Sequence, residues 1–282
     1  MALSERIKTA AADLGFDLCG IVPAAPPSHG QAFREWLGHG FQGEMMWLSR
    51  NLETRLDPQR VLRGAQSAVV VGLSYFVENP PSELWNDPSR GRIARYAWGR
   101  DYHTVIHSLL KKLAAFIETE AGGKVQTRAF VDASPMFEKE LAENAALGWV
   151  GKNTLLITRA FGSFCFLGEV LVDIPLEVDP PASDLPDCGP CRACLDACPA
   201  GALVGPYTLN AGRCISYLTV EHKGDIPVEL RPKLKNWIFG CDECQQVCPW
   251  TQRLSKSGKQ RFLKFNPEYA TPKLNELMSL DE

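Results

Sequence analysis

The chain is 282 residues long, with 45% hydrophobic and 22% charged residues and a formal net charge of −3. That is an ordinary globular composition with room for one large and one small domain. It excludes a chain that is basic overall, although a local basic patch is compatible with it. No apolar run approaches the ~20 residues of a membrane span, and the start carries neither a secretory signal nor a twin-arginine pair. A cytoplasmic protein with no membrane partner is expected, and nothing in the pattern argues against a monomer.

From the N-terminus, MALSERIKTAAADLGF spaces Leu3, Ile7, Ala10, Ala11 and Leu14 along one helical face, with Ser4 placed as N-cap. FREWLGHGF and EMMWLSRN predict a second, aromatic-rich helical stretch interrupted by Gly40 and Gly43. Ala68–Phe76 (AVVVGLSYF) is a continuous apolar run with β-branched residues and predicts a buried strand. A Pro-rich loop over 78–91 is long enough to carry a function. His103–Ala121 has helical spacing and closes on Gly122-Gly123. Val125–Val131 alternates as a strand, and Pro135–Leu147 reads as a helix. Leu155–Thr158 and Phe164–Val172 predict a hairpin around Gly162. Pro175, Pro180, Pro181 and Pro186 then mark a linker. The chain is thereby divided into residues 1–175, a cysteine-rich segment over 176–265 and a tail over 266–282.

Eight of the ten cysteines lie between Cys188 and Cys248. In a reducing compartment such crowding points to metal ligation rather than disulfides. Cys19 and Cys165, in the apolar contexts DLCGIV and SFCFLG, read as core residues. Cys188, Cys191, Cys194 and Cys198, followed by Pro199, spell C-x2-C-x2-C-x3-C-P, the run of bacterial two-cluster ferredoxins. Its first three thiolates surround one iron–sulfide cube and its fourth reaches the other. Cys241, Cys244 and Cys248, with Pro249, repeat the end of the pattern one cysteine short, and Cys214 is the nearby replacement. By pairing, one [4Fe–4S] cluster takes Cys188, Cys191, Cys194 and Cys248, and the second takes Cys198, Cys214, Cys241 and Cys244. Two zinc ions would also use C-x2-C pairs, but a zinc knuckle gives no reason for the C-x3-C-P ending to recur. Two clusters side by side make an electron wire, and a wire needs a terminus.

The first ~175 residues are of domain size and contain no GxGxxG after a strand, no P-loop and no HExxH. They do contain TRLDP (54–58), ARYAWGRDYH (94–103) and FVDASPMFEKELAENAALGWVGKNTLLI (130–157). With the two cysteine runs, these resemble the epoxyqueuosine reductases over nearly the whole chain and in the same order, and more distantly the reductive dehalogenases. The resemblance implies an α+β fold, with a nitroreductase-like cobalamin-binding domain followed by a ferredoxin-like two-[4Fe–4S] module. It also implies the reaction: a reduced corrinoid removes the epoxide oxygen of epoxyqueuosine at the tRNA wobble position, using two electrons and two protons and yielding queuosine and water.

Opening an epoxide generates an alkoxide, so a nearby proton donor lowers the barrier. By its place in VDASP, Asp132 is the candidate, its pKa raised by burial against the corrin face; its bland alternative is a turn or helix cap before Pro135. Asp101 and Tyr102 are candidates for the same pocket. Arg55 and Lys152 are candidate contacts to corrin amides, phosphate or tRNA, and Asn153 and Thr154 to the corrin rim. The DxHxxG motif of some corrinoid proteins fails here, because Ile106 stands where Gly is required. His103 is therefore expected to be structural, and base-off cobalamin is expected without a histidine ligand.

Lys223, Arg231, Lys233, Lys235, Arg253, Lys256, Lys259, Arg261 and Lys264 outnumber the acidic residues over 223–264, a balance suited to the phosphates of an anticodon stem. Trp237 and Trp250 are candidates to stack a splayed base, or to shield the clusters. Many members of the resembling family continue into a C-terminal helical-repeat domain, whereas this chain stops at Glu282. The rival functions are reductive dehalogenation of a small organohalide and electron transfer to a corrinoid partner. All three need an external electron donor.

Overall fold

The run SAVVVGLS forms strand β2, Ser67–Ser74, and every residue in it is buried. A strand buried on both faces must lie inside a sheet with cover on each side, and that is what is found. The coordinates are a computed structural model, described for all residues except 1, 133, 182–183, 255–262 and 281–282.

Strand β1, Leu18–Pro23, pairs antiparallel with β2, which pairs with β7, Cys165–Val172. Strand β4, Thr127–Phe130, closes the other edge, giving the order β1-β2-β7-β4. Between them in chain order lie β3, Arg92–Ile93, β5, Gly148–Val150, and β6, Leu156–Thr158. Side chains alternate across the sheet. Val69, Val71, Leu73, Val170 and Val172 face a core that also holds Ile7, Ala11, Ile106, Leu110, Leu113 and Ile117. Those helical residues come from α1, Leu3–Leu14, and from a long helix over Tyr102–Glu120. Ala68, Val70 and Leu171 face the other way, onto Met136, Leu141 and Ala142. The α+β class expected from the resemblance is the class observed.

Several local expectations are corrected. Ser4 does not cap α1. It is buried inside the helix, and Ala2 occupies the N-cap with no side-chain bond. The predicted hairpin about Gly162 does not form. Strand β6 pairs with β5, while β7 crosses to the sheet centre, because only that long apolar strand can fill a position covered on both faces. The helix expected over Pro135–Leu147 is shorter, Glu138–Asn144. Cys19 and Cys165 sit half-buried on β1 and β7, and burial pushes both thiols up to about 12.

The cysteine segment folds from short helices and the small antiparallel pair β8, Leu203–Gly205, with β9, Thr208–Leu209. Strand β10, Trp237–Phe239, pairs parallel with β3. Beneath that pair, Trp85 packs edge-on against both Trp98 and Trp237. Leu263 enters the main core and Ala270 the tryptophan cluster, so residues after the cysteine runs return to pack on the first part of the chain.

Candidate active site

At the end of β4 the backbone turns sharply at Asp132, whose φ of 57° is left-handed, a conformation that Asp tolerates better than most residues. The turn brings its carboxylate to the start of the Tyr102–Glu120 helix. Tyr102 donates its hydroxyl to Asp132 Oδ2 at 2.6 Å, and His103 Nε2 lies 3.5 Å from the same oxygen. Asp101 is the N-cap of this helix, accepting from the His103 backbone N–H at 2.9 Å with His103 Nδ1 at 2.8 Å. Those bonds, that of the His103 side chain foremost, hold its carboxyl below the usual range. The expected site residues Asp101, Tyr102 and Asp132 are thus brought together, with His103 between the two carboxylates.

The Tyr102 ring is stacked on Phe166 at 4.1 Å and 7°, and Phe166 on Tyr75 at 4.3 Å. Burial, then the Asp132 carboxylate, raises the Tyr102 hydroxyl well above its ordinary pKa. The Asp132 side chain is 62% exposed, so the polypeptide leaves it open to a ligand and does not itself bury it.

Behind Asp132 lie charged groups of which the motif reading named only Arg55. The Glu138 carboxylate takes the backbone N–H of Asp132 and faces Arg55 and Lys139. Arg55 carries its guanidinium over the exposed Trp47 ring at 5.4 Å. Glu169 on β7 is fully buried among apolar side chains. Several buried polar atoms without partners gather here: Arg55 Nε, Ser134 Oγ, Glu138 Oε1 and both carboxylate oxygens of Glu169. A cavity of about 320 Å³ opens alongside, lined in part by Val22, Pro23, Arg55, Met136 and Phe137.

Lys152 and Asn153 lie elsewhere, against the cysteine loops, whereas Thr154 stays with Lys139 behind Asp132. Lys152 donates to the carbonyls of Gly189 and Cys191, and the buried Asn153 reaches the Cys244 carbonyl at 3.5 Å. The Thr154 carbonyl accepts from Lys139 at 2.8 Å. One pocket is lined by Cys188, Cys191, Cys194 and Cys248, with Lys152 and Trp250. The remaining cysteines are electrostatic neighbours of one another, Cys244 facing Cys198, Cys214 and Cys241. Among the described residues no three metal-binding side chains converge as a single ion would need. The first four thiols instead line one common pocket, as a cubane requires.

Next to these loops, Asp242 is 1% exposed and Arg95 is 3% exposed, paired at 3.1 Å. The Arg95 backbone N–H also donates to Asp242, and its guanidinium reaches the Val77 carbonyl. Gln245 bonds Asp242, Tyr75 and Ser163, tying the second cysteine run to the sheet.

Within the basic stretch, Lys223, Arg231, Lys233, Lys235, Arg253 and Lys264 are exposed; Lys256, Lys259 and Arg261 lie outside the described residues. Trp237 is 2% exposed and donates to Glu243, so it is closed to a splayed base. Trp250 packs edge-on against Trp149 and under Arg253, which fits the shielding alternative.

Two groups of four thiols in the same chain as an open Asp–Tyr–His site point to an iron–sulfur oxidoreductase. Residues 55–133 match the family model described as epoxyqueuosine reductase QueG, DUF1730, and residues 187–251, which include all eight clustered cysteines, match the 4Fe-4S double cluster binding domain. The epoxyqueuosine reductase of Leadbetterella byssophila is 46% identical over 92% of this chain and 83% of its own length. A crystal structure of an epoxyqueuosine reductase with an epoxyqueuosine-modified tRNA-Tyr stem loop superposes with a TM-score of 0.86 at 33% identity, covering 99% of this chain and 73% of that one. Equal similarity is found to the Bacillus subtilis epoxyqueuosine reductase with its catalytic aspartate loop swung out of the active site, TM-score 0.86, 33% identity and the same coverage. The chain belongs to the epoxyqueuosine reductase family. A reductive dehalogenase, at 18% identity and a TM-score of 0.54 over 91% of this chain and 33% of that one, shares the fold. Among the described residues, no helix is long and apolar enough to cross a membrane.

Proposed function

We propose that this chain reduces epoxyqueuosine to queuosine at the wobble position of a tRNA anticodon, with electrons passing from an external donor through two [4Fe–4S] clusters to a base-off cobalamin. The observation that carries the reading is a carboxylate held by Tyr102 and His103, open on its other side, in the same chain as two thiol quartets.

Cys188, Cys191, Cys194 and Cys248 ligate one cluster, and Cys198, Cys214, Cys241 and Cys244 the other. Thiols in this arrangement fit the chemistry of the cube, and the apolar packing of Trp149, Ile157 and Trp250 around Cys248 keeps water from it. When bound, cobalamin supplies the strongly reducing cobalt that the epoxide requires. Arg55 and Ser134, with buried polar atoms that have no partner, suit the amide rim of a corrin. Asp132 gives its proton to the alkoxide oxygen that ring opening creates. Tyr102 and His103 hold Asp132 in place, and His103, engaged with both carboxylates, is not a cobalt ligand. The swung-out aspartate loop of the Bacillus subtilis relative supports placing the donor on the strained turn at Asp132. Exposed lysines and arginines over 223–264 steer the tRNA phosphates.

The test is anaerobic turnover. Protein reconstituted with iron, sulfide and cobalamin, given a strong reductant and an epoxyqueuosine-containing stem loop, is expected to release queuosine-containing RNA, read by nucleoside mass spectrometry. Turnover of organohalides but not of that stem loop would refute the reading.

A further inference from the structure

The deoxygenation consumes two protons, and a single carboxyl can supply only one before it must be recharged. We propose that Glu138 holds the second proton beneath Asp132 and recharges it, with Glu169 as the buried carboxyl behind and Lys139 and Arg55 as the countercharges. The inference rests on the reading of Asp132 as the alkoxide donor.

Glu138 opens helix α7, Glu138–Asn144, which follows α2 to α6 at Gly30–Gly38, Trp47–Arg50, Leu52–Arg55, Ser82–Trp85 and Tyr102–Glu120. Its carboxylate accepts the Asp132 backbone N–H, so the two residues stay in register through the strained turn. Its Oε1 is buried and without a partner, as an atom waiting to receive or release a proton would be. Glu169 projects from the face of β7 that carries Leu171, among Val70, Phe130 and Met136. It is 0% exposed, with neither carboxylate oxygen hydrogen-bonded. A lone ionised carboxylate in such a place is too costly to persist, so Glu169 is a carboxylic acid.

The charged groups facing Glu138 are Arg55 from α4, Asp132 from the turn after β4 and Lys139 from its own helix. Glu169, from β7, faces Glu138 and Asp132. Lys139 bonds the Thr154 carbonyl and faces both Glu138 and Asp132, and Arg55 is a second cation that faces the same two carboxylates. Burial first, and the Asp132 charge second, move Glu138 up to about 7. That value makes it a proton source at neutral pH that can still be refilled.

The step balances without another reactant. Asp132 has given its proton to the alkoxide and is a carboxylate. The O–H bond of Glu138 breaks and a new O–H bond forms on Asp132, directly or through one water. The negative charge moves from Asp132 to Glu138, which faces the Lys139 ammonium and the Arg55 guanidinium. Asp132 then protonates the oxygen leaving as water, and Glu138 is refilled from solvent. Glu138 thus acts through Asp132 and never touches the substrate.

The test uses Glu138→Gln, Glu169→Gln and Asp132→Asn, each checked for iron content and circular dichroism. Infrared difference spectra between pH 6 and 8, taken without cobalamin, are expected to show a protonated-carboxyl band that titrates near neutrality. The band should survive Asp132→Asn and vanish in Glu138→Gln; its persistence in Glu138→Gln overturns the proposal. In the loaded enzyme, wild-type kcat is expected to fall as pH rises through about 7, and Glu138→Gln to be slowed ~10–100-fold with that fall abolished. Should Glu138→Gln keep the wild-type pH profile while Asp132→Asn is inactive, the relay alone is refuted. Full turnover by Asp132→Asn refutes the donor reading itself, whatever the band does. Glu169→Gln, a neutral replacement of like shape for a carboxylic acid, is expected to fold normally and to leave the Glu138 titration near neutrality. A titration moved to lower pH would show that Glu169 is ionised and would overturn its place as the buried acid.

Discussion

The Tyr102 hydroxyl is bonded to Asp132 Oδ2 at 2.6 Å, and its ring lies flat on Phe166 from the central strand. The sheet therefore sets the position of the carboxylate through one aromatic stack, although Asp132 itself sits on an exposed turn. Asp132→Asn is expected to keep both clusters and lose turnover ~10²–10⁴-fold, the usual worth of a positioned proton donor. Tyr102→Phe, which keeps the stack and removes only the hydroxyl, should cost less. Conversion of the modified stem loop at fixed reductant measures both, and a Tyr102→Phe loss as large as that of Asp132→Asn would give the phenol the donor role.

Cluster assignment predicts a cross-over between the two runs. Cys198, in the first run, belongs with Cys241 and Cys244, and Cys248, in the second, belongs with Cys188. Cys198→Ala and Cys214→Ala are expected to remove the same cluster, lowering iron from about eight to about four per chain and leaving one paramagnetic signal. Cys248→Ala should leave the other signal. Iron analysis with electron paramagnetic resonance reads the outcome, and different residual signals in Cys198→Ala and Cys214→Ala would break the pairing.

The Arg95–Asp242 pair is closed to solvent and lies next to Cys241. Removing one partner strands a buried charge, so Arg95→Met is expected to cost ~3–5 kcal/mol in reversible urea unfolding. The same change should broaden the signal of the cluster held by Cys241 and Cys244, because Asp242 anchors their loop. A cost under ~1 kcal/mol would place the pair with ordinary surface bridges.

The pH dependence of stability follows from the carboxyl pair. Glu138 and Glu169 both have folded-state pKa values raised by burial, Glu138 to about 7. The folded state then binds more protons than the unfolded state, and stability falls as pH rises. Their favourable contribution is complete below the ordinary value of 4.5 and is lost as pH climbs through about 7 for Glu138. Thermal unfolding from pH 5 to 8 is expected to show Tm decreasing with pH in the wild type and a flatter profile in the double Gln variant. A wild-type Tm that rises over that range would contradict the buried acids.

Lys233 and Lys235 are exposed on the segment leading into β10. Lys233→Glu with Lys235→Glu is expected to weaken stem-loop binding and lower the log–log salt slope by ~1–2, as phosphate contacts do when lost. Fluorescence anisotropy at several salt concentrations measures this; weaker binding with an unchanged slope would indicate a shape effect instead.

The motifs were legible in the sequence because their chemistry is local. A C-x2-C-x2-C-x3-C-P run places thiols by covalent spacing, and the apolar run of β2 announces a doubly covered strand by composition alone. Asp101, Tyr102 and Asp132 were reachable through their motifs. Lys152 and Asn153 were legible as polar residues of interest but not in their placement, since only the fold carries them to the cysteine loops. Glu169 left a trace, a lone charge within FLGEVLV, yet its meaning depends on what covers that face.

By itself, the sequence determined the spacing of the eight clustered cysteines, the iron–sulfur class, the long helix after Asp101 and the buried central strand, since each rests on residue type and short-range spacing. The tertiary structure alone decided that β7 leaves β6 for the sheet centre, that Arg95 closes on Asp242, and that Glu138 and Glu169 meet behind Asp132. Those relations join residues from about 30 to 150 positions apart. Burial and charge act through distance in space, and the chain's order along its length does not contain that distance until it folds.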